Sequence, residues 1–315
     1  MSARIETRPD ADQRDRKKVR RAFSSPIASA FVILICVLWT VPTFGTLVTS
    51  FRPQADAAKN GWWNAFLHPN FTLANYQEVL VGSSGSNLQG GIFQSFINSL
   101  VITIPATIIP LALAAMAAYV LAWVRFKGSD IVFFTIFALQ VVPLQMSLLP
   151  ILQFFSNGVK IGDFQLIPPM TEAIQGFWGI WIAHCMFAMP LAIFLVHNFV
   201  SSLPSDIFEA ATVDGAGVMR IFYSIVLPLI KPALASFGIF QFLWVWNDLL
   251  ISKTFANSPF ILPITYRIQM MTGSLGSRMD LLTAGAFVSM LVPLIVFFCL
   301  QKYFVRGLLA GSVKG

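Results

Sequence analysis

The sequence predicts an all-α integral membrane protein of six transmembrane helices, with both termini on the cytoplasmic side. Three observations predict it. Of the 315 residues, 56% are apolar and 11% charged, against a charged share of about 25% in an average soluble domain, so one water-soluble core cannot hide them. The apolar residues gather into six runs, about 27–51, 93–124, 131–155, 177–200, 232–252 and 281–304. Each reaches the roughly 20 helical residues needed to cross a hydrocarbon core. Basic residues are unevenly shared between the two sides. Arg4, Arg8, Arg14, Arg16, Lys17, Lys18, Arg20 and Arg21 crowd the N-terminal arm, and Arg125, Lys127, Arg220, Lys231, Lys302, Arg306 and Lys314 fall on the same side if the runs alternate. The positive-inside rule makes that side the cytoplasm.

Residues 1–26 read as a basic arm drawn to anionic inner-leaflet lipid, at about 1 kcal/mol per basic residue near the surface. Without interleaved aromatics it offers nothing to nucleic acid. The run 27–51 exceeds the 7–15 apolar residues typical of a cleavable signal and reads as an uncleaved first transmembrane helix. Residues 52–92 form the largest outer segment, a periplasmic loop. In it, Gly61-Trp62-Trp63-Asn64-Ala65-Phe66 suits an interfacial helix, since indoles favour headgroup depth; contact with a binding protein is the alternative. Val81-Gly82-Ser83-Ser84-Gly85-Ser86 is of flexible composition and marks an edge before a transport domain at 94–301.

Inside a span every backbone group must be paired within the segment, which leaves only helices. Pro42, Pro105, Pro110, Pro143, Pro150, Pro190 and Pro293 are expected as tolerated kinks. Cys36, Cys185 and Cys299 lie in apolar runs without CxxC spacing and are expected as small buried side chains. Polar residues in spans are costly. Asn98, Gln140, Gln145, Glu172, His184 and His197 are scattered, and the two histidines are expected to hydrogen-bond neighbouring helices. Gln241, Trp244 and Asp248 recur at i, i+3 and i+7 with Asn247 beside them, on one face of the fifth helix. An indole for the apolar face of a pyranose, with amide and carboxylate partners for its hydroxyls, makes these four the candidate sugar pathway; inter-helix hydrogen bonding is the plainer alternative.

Between the fourth and fifth runs, residues 201–231 are too polar to span and too apolar for a plain loop. Asp206 and Glu209 have capping-box spacing, and Ile207 to Val213 supply a short helix. Gly215 ends it at a position suited to positive φ. A second run, Met219 to Val226, leads to Leu227-Pro228, where proline tolerates only the start or stop of the next helix. The result is a bent helical elbow.

This elbow resembles the EAA loop of bacterial ABC importer permeases: Glu209-Ala210-Ala211, three residues, Gly215, nine residues, Ile225, one residue, Leu227-Pro228. The fifth-run stretch Phe242-Leu243-Trp244-Val245-Trp246-Asn247-Asp248 and the tail 301–315 are similar to the maltose-type permease subunit of carbohydrate importers. The Trp62-Trp63 region resembles the α-glucoside and glucosylglycerol branch. The resemblance implies a type I ABC importer permease fold with the 94–301 domain as its transmembrane unit and 302–315 as a cytoplasmic tail. It also implies a coupling helix fitted into an ATPase cleft, with Glu209, Ala210, Ala211, Asp214, Gly215, Leu227 and Pro228 as coupling residues. The implied partners are a second, different permease subunit, two ATPase subunits holding ATP and Mg, and a periplasmic sugar-binding protein.

The chain has no Gly-x-x-x-x-Gly-Lys-Ser/Thr to cradle phosphates, no metal cluster and no recognisable hydrolytic constellation. It is expected to be a transport subunit rather than an enzyme, without cofactor or metal of its own. An ion-coupled sugar carrier is the alternative, but such carriers need paired ionisable groups at the midplane and repeat symmetry. Asp248 is the one good acidic candidate, and the six runs show no doubling. A passive channel would leave the elbow without a purpose.

Overall fold

A computed structural model of the chain describes residues 26–82, 91–124, 126–162, 164–169, 176–256, 258–274 and 278–312. Most of the basic arm, most of the Gly82–Ser86 stretch, Glu172 and the last three residues lie outside these. Two compact units divide the chain, one of 1–75 with 278–284 and the other of 76–277 with 285–315.

The first unit contains helix α1 (Pro26–Ser50), the short helix α2 (Gln54–Lys59) and a 3-10 turn at Trp62–Phe66. The buried Arg52 ties these together. Its guanidinium donates to the carbonyls of Asp56 (2.9 Å), Asn60 (3.0 Å) and Gly61 (3.1 Å), while Asn75 Nδ2 donates to the carbonyls of Ser50 and Arg52. Trp62 packs edge-on to Phe44 beside Gly45, where a Cβ would come within 2.6 Å of the indole. Only Trp63 of the expected interfacial pair is fully exposed.

Helix α3 (Ala74–Val81) leads to the second unit. There α4 (Phe93–Tyr119) continues into a wide π-type turn at Val120–Val124. It packs against α7 (Phe177–Ser201) and α10 (Leu227–Asn247). The contact is made of small residues, Ala106, Ala114, Ala115 and Ala118 on α4 with Ala183, Ala188 and Ala192 on α7, all buried. Lipid tails are as apolar as leucine, so helices gain by close backbone approach, and alanine permits it. Prolines 105, 110 and 190 sit inside these helices without ending them.

The third expected span, 131–155, is broken. Helices α5 (Ser129–Leu139) and α6 (Leu144–Asn157) meet at 104° across Gln140–Pro143. Proline drives the residue before it away from helical geometry, and here Ala138 through Pro143 are exposed, with no enclosing helix to hold the chain straight. Among the described residues, five helices are therefore long and apolar enough to cross a membrane, or six if the bent pair counts as one. The all-α expectation also misses a hairpin, β1 (Val159–Ile161) antiparallel to β2 (Phe164–Ile167). Gly162, at φ +61°, makes its turn.

The fifth helix begins earlier than expected. Helix α9 (Val218–Ile221), a π-type turn at Phe222–Val226 and α10 form one rod from Val218 to Asn247. Pro228 therefore lies within a helix. Its missing N–H coincides with the wide turn just before it, the usual accommodation of a disturbed ladder. After α10 come α11 (Leu250–Phe255), α12 (Ile264–Ser274) and α13 (Met279–Ser312), which runs beyond the expected end at 304. Cys36 and Cys299 are exposed on their spans and Cys185 is half-buried, contrary to the expectation of buried thiols.

Ala192→Leu should force branched bulk between α4 and α7, lowering stability by about 1–3 kcal/mol. Thermal unfolding in detergent should show a lower midpoint for Ala192→Leu and little change for Ala192→Ser.

Candidate functional site: the elbow and the broken-helix cavity

The elbow begins with α8 (Ser205–Val213), which follows Pro204 without a side-chain cap. The expected capping box is not formed. The helix starts two residues early because Pro204 pre-sets the entry, and Asp206 becomes a first-turn acid that accepts from Ser205 Oγ at 3.2 Å. An acid there is favoured by the helix dipole without being a cap.

The end of α8 is a Schellman motif. Ala216 N–H donates to Ala211 C=O (2.9 Å) and Gly215 N–H to Thr212 C=O (3.0 Å), which satisfies two carbonyls that a helix end leaves open. Gly215 takes φ +76°, and open space surrounds it where a Cβ would stand. The glycine is required by backbone angle, not by crowding.

One face of α8 is buried and the other is open. Phe208 and Ala211 join a core cluster with Tyr119, Val200, Val226 and Ile230. Phe208 stacks on Trp123 at 3.8 Å between ring centroids, and Trp123 Nε1 donates to Val200 C=O at 3.1 Å. Tyr119 Oη donates to Val218 C=O at 3.3 Å. The elbow is thus held to α4 and α7 by aromatic side chains at the π-type turn of α4. On the open face lie Glu209, Ala210, Asp214 and Gly215, with Val213 (87% exposed), Val218 and Met219 beside them. Exposed apolar side chains interspersed with charged ones (Glu209, Asp214, Arg220) suit a protein-binding surface. Leu227 is half-buried and Pro228 exposed, both on the rod rather than on this patch.

The structure does not bring the four candidate pathway residues together. Gln241 and Trp244 line a cavity of about 380 Å³ bounded by the α5–α6 break, α7 and α10. Gln241 is buried and donates from Nε2 to Ala106 C=O at 3.2 Å. Asn247 is exposed and its amide turns back to Leu243 C=O. Asp248 lies past the end of α10 in extended conformation, ψ 138°. Its carboxylate accepts from the amides of Ile251 (3.4 Å) and Ser252 (3.1 Å), capping α11. The i+7 spacing presumed a helix that stops one residue short.

His184 also lines the cavity. Contrary to the expected inter-helix bond, its Nε2 is buried without a hydrogen-bond partner, 3.8 Å from Asp248 Oδ2. His197 lies 4.1 Å from Phe133 between ring centroids, tilted by 31°. Asn98 donates to the carbonyls of Phe260 and Leu262 and accepts from Gln94.

Residues 110–309, which include the elbow and the broken pair, match the family described as binding-protein-dependent transport system inner membrane component. The chain belongs to this family. It is 44% identical over 288 residues to the osmoprotective compounds uptake permease protein GgtD of Synechocystis sp., covering 90% of each chain. It is 47% identical over 270 residues to the alpha-glucoside transport system permease protein AglG of Rhizobium meliloti, covering 85% of this chain and 67% of that one. Its fold matches, with a TM-score of 0.65 and 19% identity, the crystal structure of a bacterial ABC transporter involved in the import of the acidic polysaccharide alginate, over 95% of this chain and 99% of that one.

Within this permease, sequence reasoning passed over Trp123 and Tyr119, which read only as apolar span residues. It also noted Gln140 and His184 without connecting them, because the break that gathers them is not a property of either residue.

Trp123→Phe keeps the stacking on Phe208 but removes the indole donor to Val200 C=O, which is left with the backbone N–H of Leu203 alone, a loss of about 1 kcal/mol. Gly215→Ala should cost a similar amount, about 1 kcal/mol, from backbone angle alone. Hydrogen exchange at the amides of 211–216 should accelerate in both variants, and more in Gly215→Ala.

Proposed function

We propose that this chain is a permease subunit of an ATP-driven importer that carries a sugar of the oligosaccharide or α-glucoside class across the bacterial inner membrane. The observation that carries this reading is the elbow: a short helix, stopped by Gly215 and fused through a π-type turn to a membrane-length rod. Its inner face is packed, and its outer face exposes Glu209, Ala210, Val213 and Asp214. The sugar class is supported by relatives named for alpha-glucosides and for melibiose, raffinose and stachyose.

In this reading both termini and the elbow face the cytoplasm. There α8 seats in a cleft of one of two ATPase subunits, which hold ATP and Mg. Glu209 meets a basic residue of that cleft, Ala210 allows close approach, and Ala211 and Gly215 fix the helix end. A second, different permease completes the pathway, and a periplasmic sugar-binding protein docks on the outer segments. A solved neighbour contains an alginate pentasaccharide-bound periplasmic protein, which supports that arrangement. Moving a two-state gate from 1:99 to 99:1 takes about 5.5 kcal/mol of differential binding, and an elbow packed on two spans can pass such work along. An ion-coupled carrier gains no support from the family.

Glu209→Lys and Gly215→Pro should insert normally yet lose sugar uptake, at least tenfold, while the assembled complex still hydrolyses ATP. Uptake at the wild-type level in both variants, or a purified complex without an ATP-hydrolysing subunit, would overturn the reading. A protonophore should leave uptake intact while ATP is held constant.

A further inference from the structure

We infer that the cavity at the α5–α6 break is a binding subsite for a neutral polyhydroxyl ligand, a segment of the transported sugar, held by this chain itself. The inference rests on the importer reading for its ligand class, and on three physical observations for its place.

The first is the break. Irregular backbone at membrane depth persists only when it is enclosed by protein or lines a water-filled cavity. Among the described residues no backbone amide donates to the carbonyls of Gln140, Val141 or Val142, and Val141 is 82% exposed. Facing lipid, this segment would leave polar groups without partners; facing an aqueous sugar path, hydroxyls and water pair with them. At the same point α6 begins, and Leu144 and Ser147 of its first turn line the cavity.

The second observation is His184. It is 4% exposed and lines the cavity, and its Nε2 has no hydrogen-bond partner. A buried polar atom is normally paired. The 3.8 Å separation from Asp248 Oδ2 is too long for a hydrogen bond, and Asp248 is already engaged as a cap. A ligand hydroxyl supplies the missing partner.

The third observation is the composition of the wall. Among the described residues Gln140, Ser147, His184 and Gln241 are its polar side chains, Trp244 offers a half-exposed indole, and no Lys, Arg, Asp or Glu lines it. Gln241 spends Nε2 on Ala106 and keeps Oε1 for a ligand. Amide, hydroxyl and imidazole groups with one aromatic face suit a neutral sugar ring, while a uronate would find no cation to pair with. The volume, about 380 Å³, falls in the range of about 300–1,000 Å³ usual for small-molecule sites.

The test uses the complete complex purified with this chain. In a chain with Cys36, Cys185 and Cys299 replaced by alanine, Ser147→Cys provides a reporter thiol. Trehalose, sucrose or glucosylglycerol should slow its labelling by a small thiol reagent about tenfold, and galacturonate should not. His184→Ala should raise the KM of uptake about tenfold, the scale of one lost buried hydrogen bond, with the maximal rate retained and His184→Gln recovering part of the loss. Absence of protection by all three neutral sugars, equal protection by galacturonate, or a fall in maximal rate without a change in KM overturns the subsite. Uptake that ignores ATP overturns the importer reading instead, and the thiol result then decides the subsite independently.

Discussion

A backbone amide or carbonyl without a partner in hydrocarbon costs several kcal/mol, and this requirement governs both functional regions of the chain. It accepts proline in α4 and α7, where close-packed neighbours enclose the ladder. At the unsupported Gln140–Pro143 segment the same residue type turns a span through 104°. The outcome depends on what surrounds a proline, not on the proline alone. A break of this kind must then face water or protein, which defines a polar interior beside α7 and α10.

The elbow meets the same requirement by a different route. Its carbonyls at 211 and 212 are paired by the Schellman turn, and its second arm has no free end because it runs on into α10. Tyr119 and Trp123 fasten it to carbonyls of Val218 and Val200, groups that lie where one helix begins and another ends. Two π-type turns, at 120–124 and 222–226, contribute to this one cluster. Wide turns of this kind concentrate at functional sites. Here they set the aromatic rings of Tyr119 and Phe222 at 5.6 Å.

Much of the fold was legible. Long apolar runs gave α1, α7 and, with its π-type turn included, α4 to within one residue, because a segment that can only be a helix has little freedom in its limits. The 205–213 helix and its glycine stop were readable from spacing. The sequence was silent where surroundings decide. Pro143 and Pro190 look alike in the chain, yet one breaks a span and the other does not. Pro228 reads as a boundary, and a π-type turn absorbs it. The Gly162 hairpin carried a readable turn signal, which was masked by the apolar character of its flanks. The pathway stripe failed at its end, because Asp248 caps α11 more favourably than it extends α10; Gln241 and Trp244, safely inside the helix, kept their common face.

The two regions are joined by the same pair of helices. α7 carries His184 and ends at Ser201, the threshold of the elbow, about 25 Å further along its axis. The rod beginning at Val218 reaches Gln241 after about 35 Å. Between them lie alanine-lined contacts with α4 that leave no slack for bending side chains. In the proposed importer a displacement imposed on α8 would pass through Phe208 and the Schellman turn into two rods, both of which line the cavity. A loose tether at the elbow would dissipate the movement in rotamer changes. A packed one, its end paired by the Schellman turn, would deliver it as a relative shift of His184 against Gln241, the geometry on which grip or release of a bound sugar would depend in the proposed importer.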